Sequence, residues 1–95
     1  MTFEEYSKHD AIGLAQLVAK REVGAHELLQ VAQAGLAAVN PSINAVVLKL
    51  DAEADATLAN PLPEGPLSGV PFLLKDIGAQ MRGVVTTAGS RVFAK

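Results

Sequence analysis

There is no cysteine and no tryptophan in this chain of 95 residues. Without cysteine, disulfides, thiolate metal sites and thiol nucleophiles are all excluded, and a cytoplasmic setting is expected. Aromatic residues make up only 4%, so the hydrophobic 49% is mostly alanine, valine and leucine. That is material for helices around a thin core. Charge is sparse as well: 8 basic and 10 acidic residues leave a net −2. No basic stripe collects phosphates, so nucleic-acid binding is not expected of this segment. The apolar runs are far too short for a membrane span. The opening "MTFEEYSKHD" is acidic and lacks the positive-then-apolar order of a signal peptide. A soluble intracellular protein with no membrane role is expected. Mean hydropathy is nevertheless positive, high for a domain this small, which predicts apolar surface kept for a partner or for further chain.

What is present reads as helices first. Asp10 can cap a helix through "AIGLAQLVAKRE", with Ile12, Leu14, Ala15, Leu17 and Val18 at helical spacing. Gly24 ends that helix or opens the next. "AHELLQVAQAGLAAVN" keeps Leu28, Leu29, Ala32, Leu36 and Val39 on one stripe, and Asn40-Pro41 predicts its end. "INAVVLKL", residues 43–50, reads as a strand. "DAEADATLAN" predicts a short helix with Asp51 at its cap and Glu53 in its first turn. "NPLPEGPLSG" holds three prolines and two glycines, a loop. "VPFLLKDI" reads as a second strand buried on both faces. The remainder is loop, with a short strand or helix start near Thr86. Phe3 and Tyr6 are expected to pack the N-terminal arm, and His9 and His26 to be solvated, with no metal-ligand spacing between them.

Two strands cannot make a stable sheet alone, so the pattern predicts the beginning of an α/β domain without its end. An incomplete sheet with an open edge predicts self-association.

The chemistry-bearing stretch is "SGVPFLLKDIGAQMRGVVTTAGSR", residues 68–91. The plain reading of Lys75-Asp76 is an exposed pair at a strand end, which does little for stability. Strand alternation puts the two side chains on opposite faces, however, so they are poor partners for each other. Were Lys75 held in a closed apolar site, desolvation would favour its neutral amine, and a neutral amine can take up a proton as a general base. "TTAGS" reads first as a turn or helix cap. No Gly-Lys-Ser/Thr follows, so it is not a phosphate loop. Its hydroxyls and backbone N–H groups can help hold a carbonyl or a relay water.

"GVPFLLKDIGAQMRGVVTTAGSR" closely resembles the opening block of the amidase signature family, serine hydrolases with a Ser–cis-Ser–Lys triad. The upstream order, "AQLVAKREVGAHELLQ", then "LAAVNPSINAVV", a small helix and a Pro/Gly loop, is similar too, so the resemblance covers nearly the whole chain. It implies an α/β fold: residues 1–95 would be the N-terminal part of one such domain, with helices packing on a large mixed sheet, two or three helices and about two strands falling here. It implies that Lys75 is the catalytic base, acting through a serine with a cis peptide bond on a nucleophilic serine that attacks an amide carbonyl. Ser7, Ser42, Ser68 and Ser90 match neither family serine, so the isolated segment is expected to be inactive. The implied substrate is a small-molecule amide, with no metal or nucleotide cofactor. The amidase-type component of a tRNA-dependent glutamine amidotransferase shares the "KD…TTAGS" pattern and remains open. So does a truncated, non-catalytic remnant that works by association.

Overall fold

The computed structural model describes residues 1–77, 81–85 and 87–88. Four helices follow one another: α1 (Phe3–Ser7), α2 (Ala11–Ala19), α3 (Ala25–Ile43) and α4 (Asp51–Leu58).

Helix α1 starts on a signal that periodicity does not show. Thr2 and Glu5 form a reciprocal capping box: the Glu5 N–H donates to Thr2 Oγ1 at 3.1 Å, and the Thr2 N–H to Glu5 Oε2 at 2.8 Å. Two N-terminal donors with no partner inside the helix are thereby satisfied. Asp10 caps α2 as its sequence position predicts, its carboxylate accepting from the Gly13 N–H at 2.7 Å. The helix ends three residues earlier than the apolar pattern suggests. Arg21 takes the left-handed conformation (φ 59°), and the Glu22 and Arg21 N–H groups close back onto Leu17 and Val18 carbonyls, each at 3.0 Å. Here an arginine occupies the position glycine usually fills in such a helix stop.

Helix α3 runs past the predicted stop, through Pro41 to Ile43. Proline removes one helical hydrogen bond, but the last turn is held in other ways. The Asn44 N–H, at a left-handed residue, donates to the Asn40 carbonyl at 2.7 Å. The Asn40 side chain also grips Val46, donating to its carbonyl and accepting from its N–H, both at 2.9 Å. Helix α4 spans the predicted place, but Leu50 and not Asp51 is its N-cap, without a side-chain cap bond.

The core is small. Leu14, Val23 and Leu28 form its centre, with Met1, Tyr6, Leu17, Val18 and Val70 packed around them. Leu28 is fully buried. Helix α1 lies on α3 through two contacts: the Met1 ammonium meets Glu27 Oε2 at 2.7 Å, and the Phe3 ring, stacked on Tyr6 with centroids 5.8 Å apart, covers buried Gly35.

Gly35 is there for space. A Cβ at that position would collide with Phe3 Cε2 and sit 2.6 Å and 2.9 Å from Cδ2 and Cζ. Gly35→Ala therefore drives the Phe3 ring off α3. It also removes a mid-helix glycine, which favours the helix by about 1 kcal/mol, while half-burial of a phenylalanine contributes about as much. The expected result is a thermal midpoint within a few degrees of the parent and loss of the nuclear Overhauser contacts between Phe3 and α3. An unchanged Phe3 contact set would overturn this.

Two charged contacts make the docking of α1 pH-dependent. The Glu27 hydrogen bond raises the Met1 ammonium above its ordinary 8.0, so its contribution is complete below about pH 8 and lost as pH rises through the raised value. The Thr2 backbone N–H, followed by its hydroxyl, holds Glu5 below its ordinary 4.5, so the capping box is complete above that value and lost as pH falls through the lowered one. Tyr6 is the only tyrosine and there is no tryptophan, so intrinsic fluorescence reports on α1 alone. Burial raises the Tyr6 phenol above its ordinary 10.0. Its anisotropy should be flat from about pH 5 to 8 and fall on both sides; a flat profile through pH ~10 would mean that the Met1–Glu27 contact does not hold α1 in place.

The α/β expectation is overturned. The described residues contain helices and no strand. Residues 43–50 are instead the last turn of α3, a connector pinned by Asn40, and the Leu50 cap of α4. Residues 70–77 form no ladder, and Phe72 is 83% exposed where burial on both faces was expected. The reason is physical: β-branched, apolar composition makes a segment suitable for a strand, but a strand exists only when its backbone groups pair with a neighbour. None of the described segments presents one. The open sheet edge expected to drive association is likewise not formed among the described residues.

Candidate functional site around Lys75

Two anchors bracket Lys75. The first is upstream. After the turn in which the Ser68 N–H reaches the Gly65 carbonyl at 3.2 Å, Gly69 adopts φ +86° and passes close to α2 and α3. A Cβ there would lie 3.0 Å from Val18 Cγ1 and 3.3 Å from Ala25 Cβ, so both the conformation and the space call for glycine. This close approach delivers Val70 onto the core. From there the chain leaves the helices, and Phe72, Leu73, Leu74 and Ile77 are exposed.

The second anchor is downstream. Met81–Val84 is a turn closed by the Val84 N–H on the Met81 carbonyl at 3.1 Å, with Gly83 at φ +79° in the third position, where a type II turn needs it. The turn returns the chain so that Thr87 meets Asp76. The Thr87 N–H donates to Asp76 Oδ1 at 2.8 Å, and the Thr87 hydroxyl donates to Oδ2. Both carboxylate oxygens are engaged by one residue eleven positions away. Closing a loop of that length costs about 2 kcal/mol in chain entropy. Two charge-assisted bonds are each worth roughly 1.5–3 kcal/mol. Even reduced by partial exposure, the pair offsets the closure.

Lys75 itself is exposed. Among the described residues the ion pairs are Met1–Glu27 and Lys8–Glu4, so Lys75 and Asp76 are not an ion pair with each other. The walls of a closed site are not supplied by these residues. Two surface concavities, of about 340 Å³ between the end of α3 and Lys49 and about 360 Å³ along residues 62–69, are lined by other side chains. His9 and His26 are exposed, and among the described residues no group of three or more His, Asp or Glu side chains is arranged to hold a metal. No helix among them is long and apolar enough to cross a membrane.

The sequence reads "TTAGS" first as a turn or helix cap whose donors can also help hold a carbonyl or a relay water. In the structure the N–H and hydroxyl of Thr87 donate to Asp76. Thr86 and Ser90 lie outside the described residues. Ser7 sits in α1, its hydroxyl donating to the Glu4 carbonyl at 2.8 Å, Ser42 in the last turn of α3, and Ser68 in the loop before Gly69. Sequence reasoning misses Asp76. Its only local signal is a carboxylate followed, a Gly-containing turn later, by paired threonines.

Comparison with known proteins points to one family. No family model and no solved structure matches the chain. Curated sequences do. A 6-aminohexanoate-cyclic-dimer hydrolase from a Pseudomonas species is 40% identical over 79 residues, covering 83% of this chain and 16% of that protein. A glutamyl-tRNA(Gln) amidotransferase component from Acidothermus cellulolyticus is 39% identical over 94 residues, 90% of this chain and 18% of its own length. A lipoamidase from Enterococcus faecalis is 38% identical, covering 90% of this chain and 12% of the lipoamidase. These relatives are amidase-signature enzymes, and the chain belongs to the amidase signature family. It spans less than a fifth of the length of each of these three proteins.

Proposed function

We propose that this segment supplies the lysine base of an amide hydrolase, with Lys75 as the base and with both serines of the triad contributed by chain outside these 95 residues. The carrying observation is the anchoring of Lys75 between Val70 on the core and the Asp76–Thr87 pair, in a stretch similar to proteins named as amide hydrolases. In the reaction, a serine hydroxyl adds to the amide carbonyl, and its proton passes through the second serine to the Lys75 amine. That proton then goes to the leaving nitrogen, and water releases the acyl group from the serine with the same relay. Backbone N–H groups hold the developing oxyanion. Lys75 takes this role only when further chain covers it and excludes water, since burial is what favours the neutral amine. The substrate class is a small linear or cyclic amide, the setting cytoplasmic, and the segment by itself is inactive.

A second reading is supported by the glutamyl-tRNA(Gln) amidotransferase component, whose match covers more of this chain than that of the cyclic-dimer hydrolase, 90% against 83%. There the same base would serve an amidotransferase. A third reading, association without catalysis, rests on the exposed Phe72, Leu73 and Ile77. A concentration-dependent elution volume in size-exclusion chromatography would favour it, and a constant monomer volume would exclude it.

The test is a chimera: this chain replaces the matching 16% of the 6-aminohexanoate-cyclic-dimer hydrolase, and release of the linear product is assayed. Activity in the chimera and none in the isolated chain is the expected result. An isolated chain that hydrolyses amides through Lys75 would overturn it.

A further inference from the structure

We infer that Asp76 is a positioning residue for Lys75, working through its paired hydrogen bonds to Thr87; the inference rests on the reading of Lys75 as the base. Lys75 and Asp76 share one peptide plane, which is rigid. Fixing Asp76 therefore fixes one of the two planes that flank the Lys75 Cα. The other side is led in from Val70, seated on the core beside Leu14 and Leu28. The exposed side chains Phe72, Leu73 and Leu74 make no such anchor of their own. With the Asp76–Thr87 pair, the segment bearing the amine is held on both sides, by Val70 on the core and by the turn at Thr87.

The chemistry of the pair suits this role. An ionised carboxylate offers acceptors only, and Thr87 presents a backbone N–H and a hydroxyl that both donate to it. Two donors on one residue meet the two oxygens of one carboxylate, so the contact is held at two points. It also explains why an aspartate sits beside a lysine it does not pair with: the carboxylate is committed to the turn, which leaves the amine free to act on something else. The two-point contact also brings the threonine turn to the immediate neighbour of the base.

The experiment uses the 15N-labelled chain of 95 residues. Asp76→Ala should move the Thr87 amide resonance, reporting the bond directly. The same substitution should lower the steady-state 15N–1H Overhauser ratio at both Lys75 and Thr87, with resonances of α2 and α3 unmoved. Thr87→Val keeps the N–H donor but loses the hydroxyl, and should show an intermediate loss. Thr87→Ser restores the hydroxyl and should restore the Lys75 ratio. A Thr87 amide resonance unmoved in Asp76→Ala would overturn the contact. Loosening confined to residues 81–88, with Lys75 unchanged in Asp76→Ala, would overturn the positioning role. These outcomes are independent of catalysis: an active chimera that ignores loss of Lys75 defeats the reaction reading and leaves the Thr87 resonance shift as it was.

Discussion

Leu28→Ala should leave the helical unit largely unfolded at room temperature. Leu28 is the one fully buried large side chain among the described residues, and Leu14 and Val23 close around it. Removing a leucine side chain from such a position costs about 2–5 kcal/mol, since the cavity adds to the lost transfer energy. A large domain survives that. This one has few buried residues over which to spread the loss, and small domains hold only about 3–5 kcal/mol in reserve. The cavity is also hard to refill. Its neighbours Met1 and Tyr6 arrive with the N-terminal segment and Val70 from the chain after Gly69, and collapse in one direction pulls each from its own contacts. Circular dichroism at 222 nm, followed through a urea titration, should show most of the helical signal already lost without urea. Phe72→Ala is the matched control: a larger side chain, but 83% exposed, with an expected change within about 0.5 kcal/mol. A Leu28→Ala chain that melts like the parent would place the core elsewhere.

The second large effect belongs to Lys75. In the chimera with the cyclic-dimer hydrolase, Lys75→Ala should lower kcat by roughly 10²–10⁴-fold, the range for removing a general base, with little change in KM. Lys75→Arg should not rescue it. A guanidinium stays protonated and offers no acceptor, so it cannot take the serine proton. Arginine does keep the positive charge and the length of the side chain, which makes it the discriminating substitution. If charge alone mattered, the arginine variant would retain most of the activity, and the base role would be lost. Fold is a separate matter. Lys75 is exposed in this segment, so neither substitution should change the helical signal of the isolated chain.

Some of this was legible in the order of residues and some was not. The Asp10 cap, the long stripe through Leu28 and Leu36 and the short helix after Leu50 follow from interactions three or four residues apart, and all three helices form. Helix α1 was equally local: Thr2 and Glu5 spell a capping box, but the element is too short to show a periodicity. The two helix stops differ from expectation because no single residue decides them. Pro41 does not end α3, since Asn40 and Asn44 hold the last turn. Arg21 ends α2 although it is not a glycine. The strands failed for a different reason. Residues 43–50 and 70–77 have the composition of strands, and composition says nothing about whether a partner edge is present.

By itself, then, the sequence determined the helices, the stripe that becomes the core, the family and the lysine on which the chemistry is proposed to turn. These depend on side-chain identity and on bonds that close within one helical turn, where little chain entropy opposes them. Tertiary structure alone decided the rest. It chose Thr87 as the partner of Asp76, laid Phe3 across Gly35, brought the Met1 ammonium to Glu27 and left Phe72 in solvent. Each of these outcomes depends on whether groups distant in the chain meet. That is settled by the balance between loop closure and the contacts it permits, a balance that no short stretch of residues displays.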